Sequence, residues 1–425
     1  MARITILTFG SRGDVQPFCA IALELLNRGH EVTLAGSEQS AEFVGRWGIP
    51  FQPIPGDIKQ LLSAPAGLDL LEGNNQAQIL SLELYEQQLR QGWHICQGSD
   101  LLLLSSLTLW GYHLAEALQV PAVLVTQFPI STTRAFPFLK FASRTNNKLA
   151  GLANLASYRI LELLSWQRYR KSTNRFRQEV LNIPSLPWLG TRYRNDAPPQ
   201  LTPLPVISGY SAAVLPNPKD FGPEIQQTDY CWLDTAAPFM PTPALTAFLE
   251  DGPPPFYVGF GSMTMRDPQR LADTVLSALA ETGQRAVLAS GWGNLSPQDL
   301  PPSVYQIDEV PHDWLFPKMR GAIHHGGAGT TATTLKAGIP SIVVPFFADQ
   351  PAWGQQLENL GISPTTIPRL ELSHERLAVG IRAIVDSDRY RTQAQQIQRQ
   401  LQQKDGVGET VDILESYLSV PAATP

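Results

Sequence analysis

Cysteine is scarce in this chain, and its placement excludes two kinds of cross-link. The 425 residues contain three cysteines, Cys19, Cys96 and Cys231, which lie far apart with no paired spacing. Disulfide-rich secreted folds and structural zinc sites both need cysteines that recur at short intervals. Most histidines are scattered too, so the sequence predicts a reducing compartment and no metal site.

Long apolar runs and an excess of positive charge are also lacking. No apolar stretch approaches the roughly 20 residues that span a bilayer. The apolar run at the N-terminus is too short for a secretory signal. The formal net charge of -6 argues against nucleic acid as a partner. We therefore expect a cytoplasmic protein that binds no nucleic acid.

Short apolar runs alternate with amphipathic stretches, and hydrophobic residues make up 43% of the chain. At the start of the chain this pattern predicts a strand over residues 4–9, a glycine loop, a helix over residues 17–28 and a strand over residues 31–35. A doubly wound parallel sheet begins in this way. The same alternation restarts with a strand over residues 256–260. We therefore predict an α/β protein with two facing Rossmann-like domains and an interdomain cleft.

Composition also gives predicted domain boundaries. The first Rossmann-like domain covers residues 1–205, a proline-rich linker region 206–243, the second Rossmann-like domain 244–405, and a final helix and tail 406–425. Within the proline-rich region we predict short strands over residues 206–208 and 228–233. Residues 57–81 have the composition of a loop-rich segment.

One stretch of the second domain, residues 322–335, combines a strand end, a glycine-rich turn and a helix start. Its glycines are Gly326, Gly327 and Gly329, and His324, His325, Thr330 and Thr331 flank them. Helix-initial N–H groups have no partner within the helix, and with the helix dipole they form an anion site, most often for phosphate. The pattern predicts a pyrophosphate site, although glycine-rich turns also serve close packing alone.

Asp14 follows a similar loop at the end of the first predicted strand. Two interpretations of this residue stay open. Asp14 can stabilise the start of a helix, an effect of about 1 kcal/mol. It can also point into the cleft and take a proton from a hydroxyl group.

Two further positions suit a ligand. Asp349 and Gln350 lie just past a predicted strand and offer donors and acceptors for a polyhydroxyl compound, although Pro351 also fits a helix start there. Trp314 has a ring that can border a nucleobase, but a Trp beside Leu315 and Phe316 fits a core position as well.

Residues 134–177 are strongly basic, with leucines interleaved. Ten lysines and arginines are offset by Glu162 alone. A basic amphipathic segment can make peripheral contact with an anionic membrane. A solvated helix face is the alternative.

Four motifs in order closely resemble the sterol 3-β-glucosyltransferase group. They are residues 9–18 (FGSRGDVQPF), 311–316 (PHDWLF), 324–331 (HHGGAGTT) and 344–351 (VPFFADQP). This group belongs with the UDP-glycosyltransferases and the antibiotic-aglycone glycosyltransferases of actinomycetes. The resemblance implies the GT-B architecture, with acceptor binding in the first domain and nucleotide-sugar binding in the second. It also implies inverting, metal-independent transfer of a hexose, glucose above all, from a UDP-sugar to a hydroxyl of a lipophilic acceptor such as a sterol or hopanoid.

The resemblance also implies roles for individual residues. Asp14 matches the catalytic base, within the first-domain loop formed by Gly10, Ser11, Arg12 and Gly13. The matching donor residues are Ser262, His325, Gly327, Ala328, Gly329 and Thr330 at the pyrophosphate, Asp349 and Gln350 at the sugar, and Val310 and Trp314 near the nucleobase. UDP-glucose is then a co-substrate, and no cofactor is implied.

The chain departs from the plant-type pattern of the wider superfamily at two positions. Glu309 replaces a Trp that stacks on uracil, and Thr333 stands where those enzymes carry a ribose-binding Glu. These departures leave the choice between uridine and thymidine open. A non-catalytic nucleotide-sugar-binding partner and a UDP-sugar epimerase are the alternative functions.

Overall fold

The computed structural model of the chain describes residues 1–71, 80–145, 147–190, 204–233, 239–261, 263, 266–290 and 300–418. The chain forms two compact units. The first unit contains Met1–Ile58, Leu80–Asp234 and Asp405–Pro425, and the second contains Lys59–Ile79 and Thr235–Lys404.

The described residues form two parallel sheets, of seven and five strands. The strands are β1 (Arg3–Leu7), β2 (Glu31–Ser37), β3 (Phe51–Ile54), β4 (Leu101–Leu104), β5 (Ala122–Thr126), β6 (Val206–Ser208), β7 (Ile225–Gln227), β8 (Phe256–Gly259), β9 (Ala286–Ala289), β10 (Val304–Ile307), β11 (Gly321–His324) and β12 (Ser341–Val343). The first sheet has the order β3-β2-β1-β4-β5-β6-β7, and the second has the order β10-β9-β8-β11-β12. In each sheet the strand order changes direction beside the first strand, between β1 and β4 and between β8 and β11, as in a Rossmann fold. We call each of these places the switch point of its sheet. Ligands of such sheets bind at the switch point, beyond the carboxyl ends of the strands.

Helices connect the strands. They are α1 (Arg12–Asn27), α2 (Ala41–Gly45), α3 (Ile58–Ser63), α4 (Pro65–Leu71), α5 (Leu82–Cys96), α6 (Gly111–Leu118), α7 (Lys148–Glu179), α8 (Pro243–Glu250), α9 (Pro268–Thr282), α10 (His312–Leu315), α11 (Ala328–Ala337), α12 (Gln350–Asn359), α13 (His374–Val385), α14 (Arg389–Leu401) and α15 (Gly406–Leu418).

The central strands of the first sheet are buried on both faces, which explains the continuous apolar run of β4. In β4, Leu101 and Leu103 join one hydrophobic cluster, while Leu102 and Leu104 join another on the opposite face. Successive side chains of a strand point to opposite faces, so a strand covered on both sides needs an apolar residue at every position. This packing fixes the carboxyl end of β1, where the first candidate site lies.

The second sheet is also parallel throughout and has a cluster of its own. Tyr257 of β8, Val287 of β9 and Ile307 of β10 are buried in it against Leu245 and Phe316. Neighbouring strands β8 and β11 pair in register, with Gly259 opposite His324. Their carboxyl ends therefore bring two loops side by side at the switch point of this sheet.

Most predicted strands are confirmed within a few residues, but three assignments need correction. Residues 57–81 are not a loop throughout, because α3 and α4 lie within them. The strand predicted at residues 228–233 is wrong, since the strand is β7, which ends at Gln227. Residues 206–243 are not a linker throughout, because β6 and β7 pair within the first sheet; residues 234–238 of that region lie outside the described residues.

Residues 228–231 follow β7 and contact α15. The Thr228 hydroxyl lies 3.2 Å from the Thr410 hydroxyl, and the Cys231 thiol donates to the Gly406 carbonyl. Helix α15 also packs on α1, where Arg28 forms ion pairs with Asp412 and Glu415. The final helix therefore completes the first unit, although it follows the second unit in sequence.

Candidate active site

Asp14 lies at the switch point of the first sheet, in the first turn of α1. The helix begins at Arg12, earlier than the predicted residue 17, and Ser11 is its N-cap. Oδ2 of Asp14 accepts hydrogen bonds from the Ser11 N–H (2.7 Å) and the Ser11 hydroxyl (3.0 Å). Both bonds use the same oxygen, and no other residue in the described part of the chain donates a hydrogen bond to Oδ1. Asp14 therefore starts the helix, as the first interpretation states. Its role as a proton acceptor stays a prediction.

The turn before α1 leaves room for this carboxylate only because it carries a glycine. Gly10 has φ 138°, a conformation that other residues rarely adopt. A Cβ at Gly10 would lie 2.4 Å from Oδ2 of Asp14. Any other residue would therefore push the carboxylate away from its position.

Burial raises the pKa of Asp14, and the hydrogen bonds from the Ser11 N–H and hydroxyl oppose this rise. Desolvation disfavours the charged form of a carboxyl group, whereas donors to the carboxylate favour it. A raised pKa makes the carboxylate a stronger base than an ordinary Asp. A stronger base accepts a proton more readily in general base catalysis.

The other residues of this loop have different surroundings. The Arg12 guanidinium lies over the Phe43 ring at 4.8 Å and donates to Gln16, away from the Asp14 carboxylate and its Ser11 donors. Thr8 was missed in the sequence because a Thr at the end of an apolar strand has no distinguishing pattern. Its hydroxyl donates to the Asp14 carbonyl at 2.9 Å and fixes the first turn of α1.

The glycine-rich turn joins β11 to α11 at the switch point of the second sheet. Gly327 is the N-cap, and the first backbone bond of the helix runs from the Thr331 N–H to the Gly327 carbonyl (2.9 Å). The N–H groups of Ala328, Gly329 and Thr330 have no acceptor among the described residues. Three free amides at the positive end of a helix dipole form a site for an anion.

The shape of the turn depends on Gly326 and His324. Gly326 has φ 83°, and a Cβ there would lie 2.6 Å from the Val343 side chain and 2.9 Å from the Gln350 carbonyl. Nδ1 of His324 accepts the Gly326 N–H at 3.1 Å. Burial lowers the pKa of His324 to about 3, so its ring is neutral and can act as this acceptor.

His325 is the buried polar group that a ligand at this turn would contact. The residue is 9% exposed, and its Nδ1 has no hydrogen-bond partner in the described regions. Burial lowers the pKa of His325 to about 4, and a hydrogen bond with the Gly259 backbone opposes this shift. A Cβ added to Gly261 would lie 2.9 Å from the ring, so the loop after β8 and the turn after β11 meet at His325. Ser262, predicted for the same site, lies outside the described residues.

Asp349 and Gln350 begin α12, as the alternative interpretation of Pro351 suggested. Asp349 is the N-cap, and its carbonyl accepts the N–H groups of Ala352 and Trp353. Gln350 is buried, and its amide oxygen accepts the N–H groups of Phe346 (2.8 Å) and Phe347 (3.3 Å). The amide of Gln350 therefore orders the loop before α12, and its role toward a sugar stays a prediction.

Replacing Gln350 with Leu should lower the free energy of unfolding by about 1–3 kcal/mol, because two backbone N–H groups lose their acceptor in a buried place. Thermal or denaturant unfolding measures this loss. Gln355→Leu is the matched control on the same helix, since Gln355 is exposed and bonds with the exposed Asn359 side chain. A variant that loses donor affinity with unchanged stability would show that Gln350 acts on the sugar alone.

Val310 and Trp314 both pack at the edge of the second unit's core. The Trp314 ring makes an edge contact with Phe239, and the Lys318 ammonium lies 4.0 Å above it. Thr333 donates to the Gly329 carbonyl within α11 at 2.8 Å, so its hydroxyl is already used. Contacts of these residues with a nucleoside stay predictions.

Two family models match the chain. The N-terminal domain of glycosyltransferase family 28 matches residues 4–137, and the C-terminal domain of the erythromycin biosynthesis protein CIII-like family matches residues 273–416. The sterol 3-beta-glucosyltransferase UGT80B1 of Arabidopsis thaliana is 33% identical over 433 residues, which cover 98% of this chain and 68% of the relative. The chain therefore belongs to the glycosyltransferase family that contains this sterol 3-beta-glucosyltransferase. The resemblance found in the four motifs is thereby confirmed.

Further comparisons agree with this assignment. A sterol 3-beta-glucosyltransferase of Aspergillus terreus is 33% identical over 97% of this glycosyltransferase, which spans only 30% of that relative. The solved structure of spinosyn rhamnosyltransferase SpnG, complexed with thymidine diphosphate, matches with a TM-score of 0.65 at 18% identity, covering 98% of this chain and 100% of that one. The GT-B glycosyltransferase fold predicted from the sequence is confirmed.

Proposed function

We propose that this glycosyltransferase moves glucose from UDP-glucose to a hydroxyl of a lipophilic acceptor of the sterol or hopanoid class. The observation that carries the proposal is the pair of switch points. At the first, the Asp14 carboxylate has an oxygen to which no other described residue donates a hydrogen bond. At the second, three amides at the start of α11 and Nδ1 of His325 have no partner within the described part of the chain. The sterol 3-beta-glucosyltransferases among the relatives support the sugar and the acceptor class.

Asp14 acts as the base in the proposed reaction. The acceptor oxygen attacks the anomeric carbon of the sugar and transfers its proton to Oδ1 of Asp14. The bond between that carbon and the diphosphate oxygen breaks, and UDP leaves with the electron pair. A single displacement inverts the anomeric centre, so an α-linked donor gives a β-glycoside, through an oxocarbenium-like state.

The turn before α11 stabilises the leaving group. The amides of Ala328, Gly329 and Thr330 are fixed before the reaction, and preorganised donors stabilise developing negative charge without further rearrangement. His325 is neutral when the site is empty, because burial lowers its pKa. A diphosphate beside the ring favours the protonated form, which adds a charged donor to the leaving oxygen.

The activity test uses the purified chain with UDP-glucose, with and without a sterol dispersed in detergent. We expect UDP release that depends on the sterol, a β-linked glucoside, and an unchanged rate after chelation of divalent metals. Release without an acceptor would indicate hydrolysis, and conversion of the sugar without release would indicate an epimerase. Binding of UDP-glucose without turnover, across a range of hydroxyl acceptors, would support the non-catalytic alternative. TDP-glucose in parallel tests the choice of base.

Replacing Ser11 with Ala should move the acid limb of the pH–rate profile to higher pH. The carboxylate form of Asp14 is the active one, so the rate falls as pH drops through its pKa. The Ser11 hydroxyl lowers that pKa by donating to Oδ2, and its removal raises the pKa. Ser11→Thr keeps the hydroxyl and should keep the wild-type limb. An unmoved limb in Ser11→Ala would argue against Asp14 as the titrating base.

A further inference from the structure

The first half of helix α7 exposes an apolar face that none of the described residues covers. Leu149 is 77% exposed, Ile160 57% and Leu164 63%. The positions 149, 152, 156, 160 and 164 follow one another at spacings of three or four residues, so they form one stripe along the helix. Few proteins in water leave such a stripe uncovered, and a contiguous exposed apolar patch marks an interaction surface.

A neighbouring segment extends this stripe. Trp188 is 60% exposed and Leu189 53% exposed. Their backbone carbonyls accept hydrogen bonds from Trp166 and Arg159 of α7, which hold the segment against the helix. We call this combined surface the α7 face; its exposed apolar residues are Leu149, Leu152, Ile160, Leu161, Leu164, Trp188 and Leu189.

Positive charge lies at both ends of the α7 face. Lys140, Arg144 and Lys148 are exposed before the stripe begins. Lys171 and Arg175 are exposed beyond it and continue the same side of the helix at helical spacing. The acidic residues of α7 are Glu162, which pairs with Arg159, and Glu179 at the helix end.

We propose that the α7 face binds the surface of an anionic lipid bilayer, with the helix lying parallel to the membrane. An interfacial helix has leucines on the side that enters the lipid, cations beside them and a Trp at the edge, and the α7 face has this composition. From Leu149 to Arg175 the helix runs roughly 40 Å, long enough to spread its cations over many lipid headgroups. Among the described residues no helix is long and apolar enough to cross a bilayer.

A bilayer fits this surface better than a second copy of the chain. Two copies that met through the α7 face would bring its cationic ends close together, and like charges would oppose the contact. An anionic surface attracts the same cations, at about 1 kcal/mol for each one near the headgroups. The proposal does not depend on the identity of the sugar or acceptor.

The test is flotation of the full chain with vesicles of phosphatidylcholine alone and of phosphatidylcholine with an equimolar amount of phosphatidylglycerol. We expect binding to the anionic vesicles that weakens as salt rises. One variant changes Leu149, Leu152, Ile160 and Leu164 to Gln, and a second changes Lys171 and Arg175 to Gln. Each should weaken binding by roughly tenfold or more.

The control changes Leu370 and Val379 to Gln, because these exposed apolar side chains belong to the second unit. It should bind vesicles like the wild type. Unfolding curves and sedimentation in solution accompany each variant. Absence of vesicle binding, or binding that both α7 variants retain, would overturn the proposal, as would a dimer that the α7 variants dissociate. None of these results bears on UDP release with a dispersed acceptor, so the proposed function is judged separately.

Discussion

Replacing Asp14 with Asn is expected to lower turnover by about a hundredfold to ten-thousandfold, the usual contribution of a general base. The affinity for UDP should stay close to that of the wild type, because the amides and imidazole at the turn before α11 are untouched. The measurements are the rate of sterol-dependent UDP release and a calorimetric titration with UDP.

This substitution removes the charge of Asp14 and keeps its local hydrogen bonds. The amide oxygen of the introduced asparagine can accept both Ser11 hydrogen bonds that Oδ2 of Asp14 accepts, so the start of α1 should persist. The loss of charge at a helix N-terminus costs about 0.3–1 kcal/mol, which an unfolding curve would show. Glu38→Gln is the control, since Glu38 is an exposed acid in the same unit. Turnover near the wild-type rate in Asp14→Asn would refute the assignment of the base.

Replacing His325 with Ala should weaken UDP binding by about tenfold to a hundredfold, because a hydrogen bond to a charged group contributes about 1.5–3 kcal/mol. The observation behind this expectation is that His325 is 9% exposed and that its Nδ1 has no partner in the described part of the chain. Titration of the variant with UDP gives the affinity directly.

Two further variants separate a direct contact from a structural effect. His374→Ala removes an exposed imidazole of the same unit and should bind UDP normally. His324→Phe removes the acceptor of the Gly326 N–H, so it should reduce both stability and affinity. If His325→Ala bound UDP as tightly as the wild type, the diphosphate would lie elsewhere.

Parallel strands were the easiest features to predict. β4 is apolar throughout, and β1 and β5 are mostly apolar, because both faces of these central strands are covered. A run of this kind can be recognised without knowledge of its partners. The glycine turn was also predictable, since Gly326 and the start of α11 have local signatures. The helix start at Arg12 was missed because its cap depends on the carboxylate of Asp14 bending back to Ser11.

Long-range packing could not be predicted. Helices α3 and α4 follow β3 in sequence, but nearly all of their residues belong to the second unit, where Asp69 pairs with Arg266. Helix α15 returns to α1 through contacts that join residues almost 400 positions apart. A local pattern gives the existence of such a helix but not its partner.

The sequence indicates which residues to consider at the candidate site, but it does not give their surroundings. The sequence indicated Asp14, His325 and Gln350 as ligand-binding positions. It gave no sign that burial raises the pKa of Asp14, that Nδ1 of His325 lacks a partner among the described residues, or that the amide of Gln350 is already occupied by backbone donors. These properties arise from groups brought together only by the fold.

A crystal structure of the chain with bound UDP would locate the diphosphate directly. We expect β-phosphate oxygens within hydrogen-bond distance of the amides of Ala328, Gly329 and Thr330, with the His325 ring beside them. We also expect that no other residue of the protein donates a hydrogen bond to Oδ1 of Asp14. A diphosphate bound away from the α11 N-terminus, or an Asp14 with both oxygens occupied by other residues of the protein, would contradict these expectations.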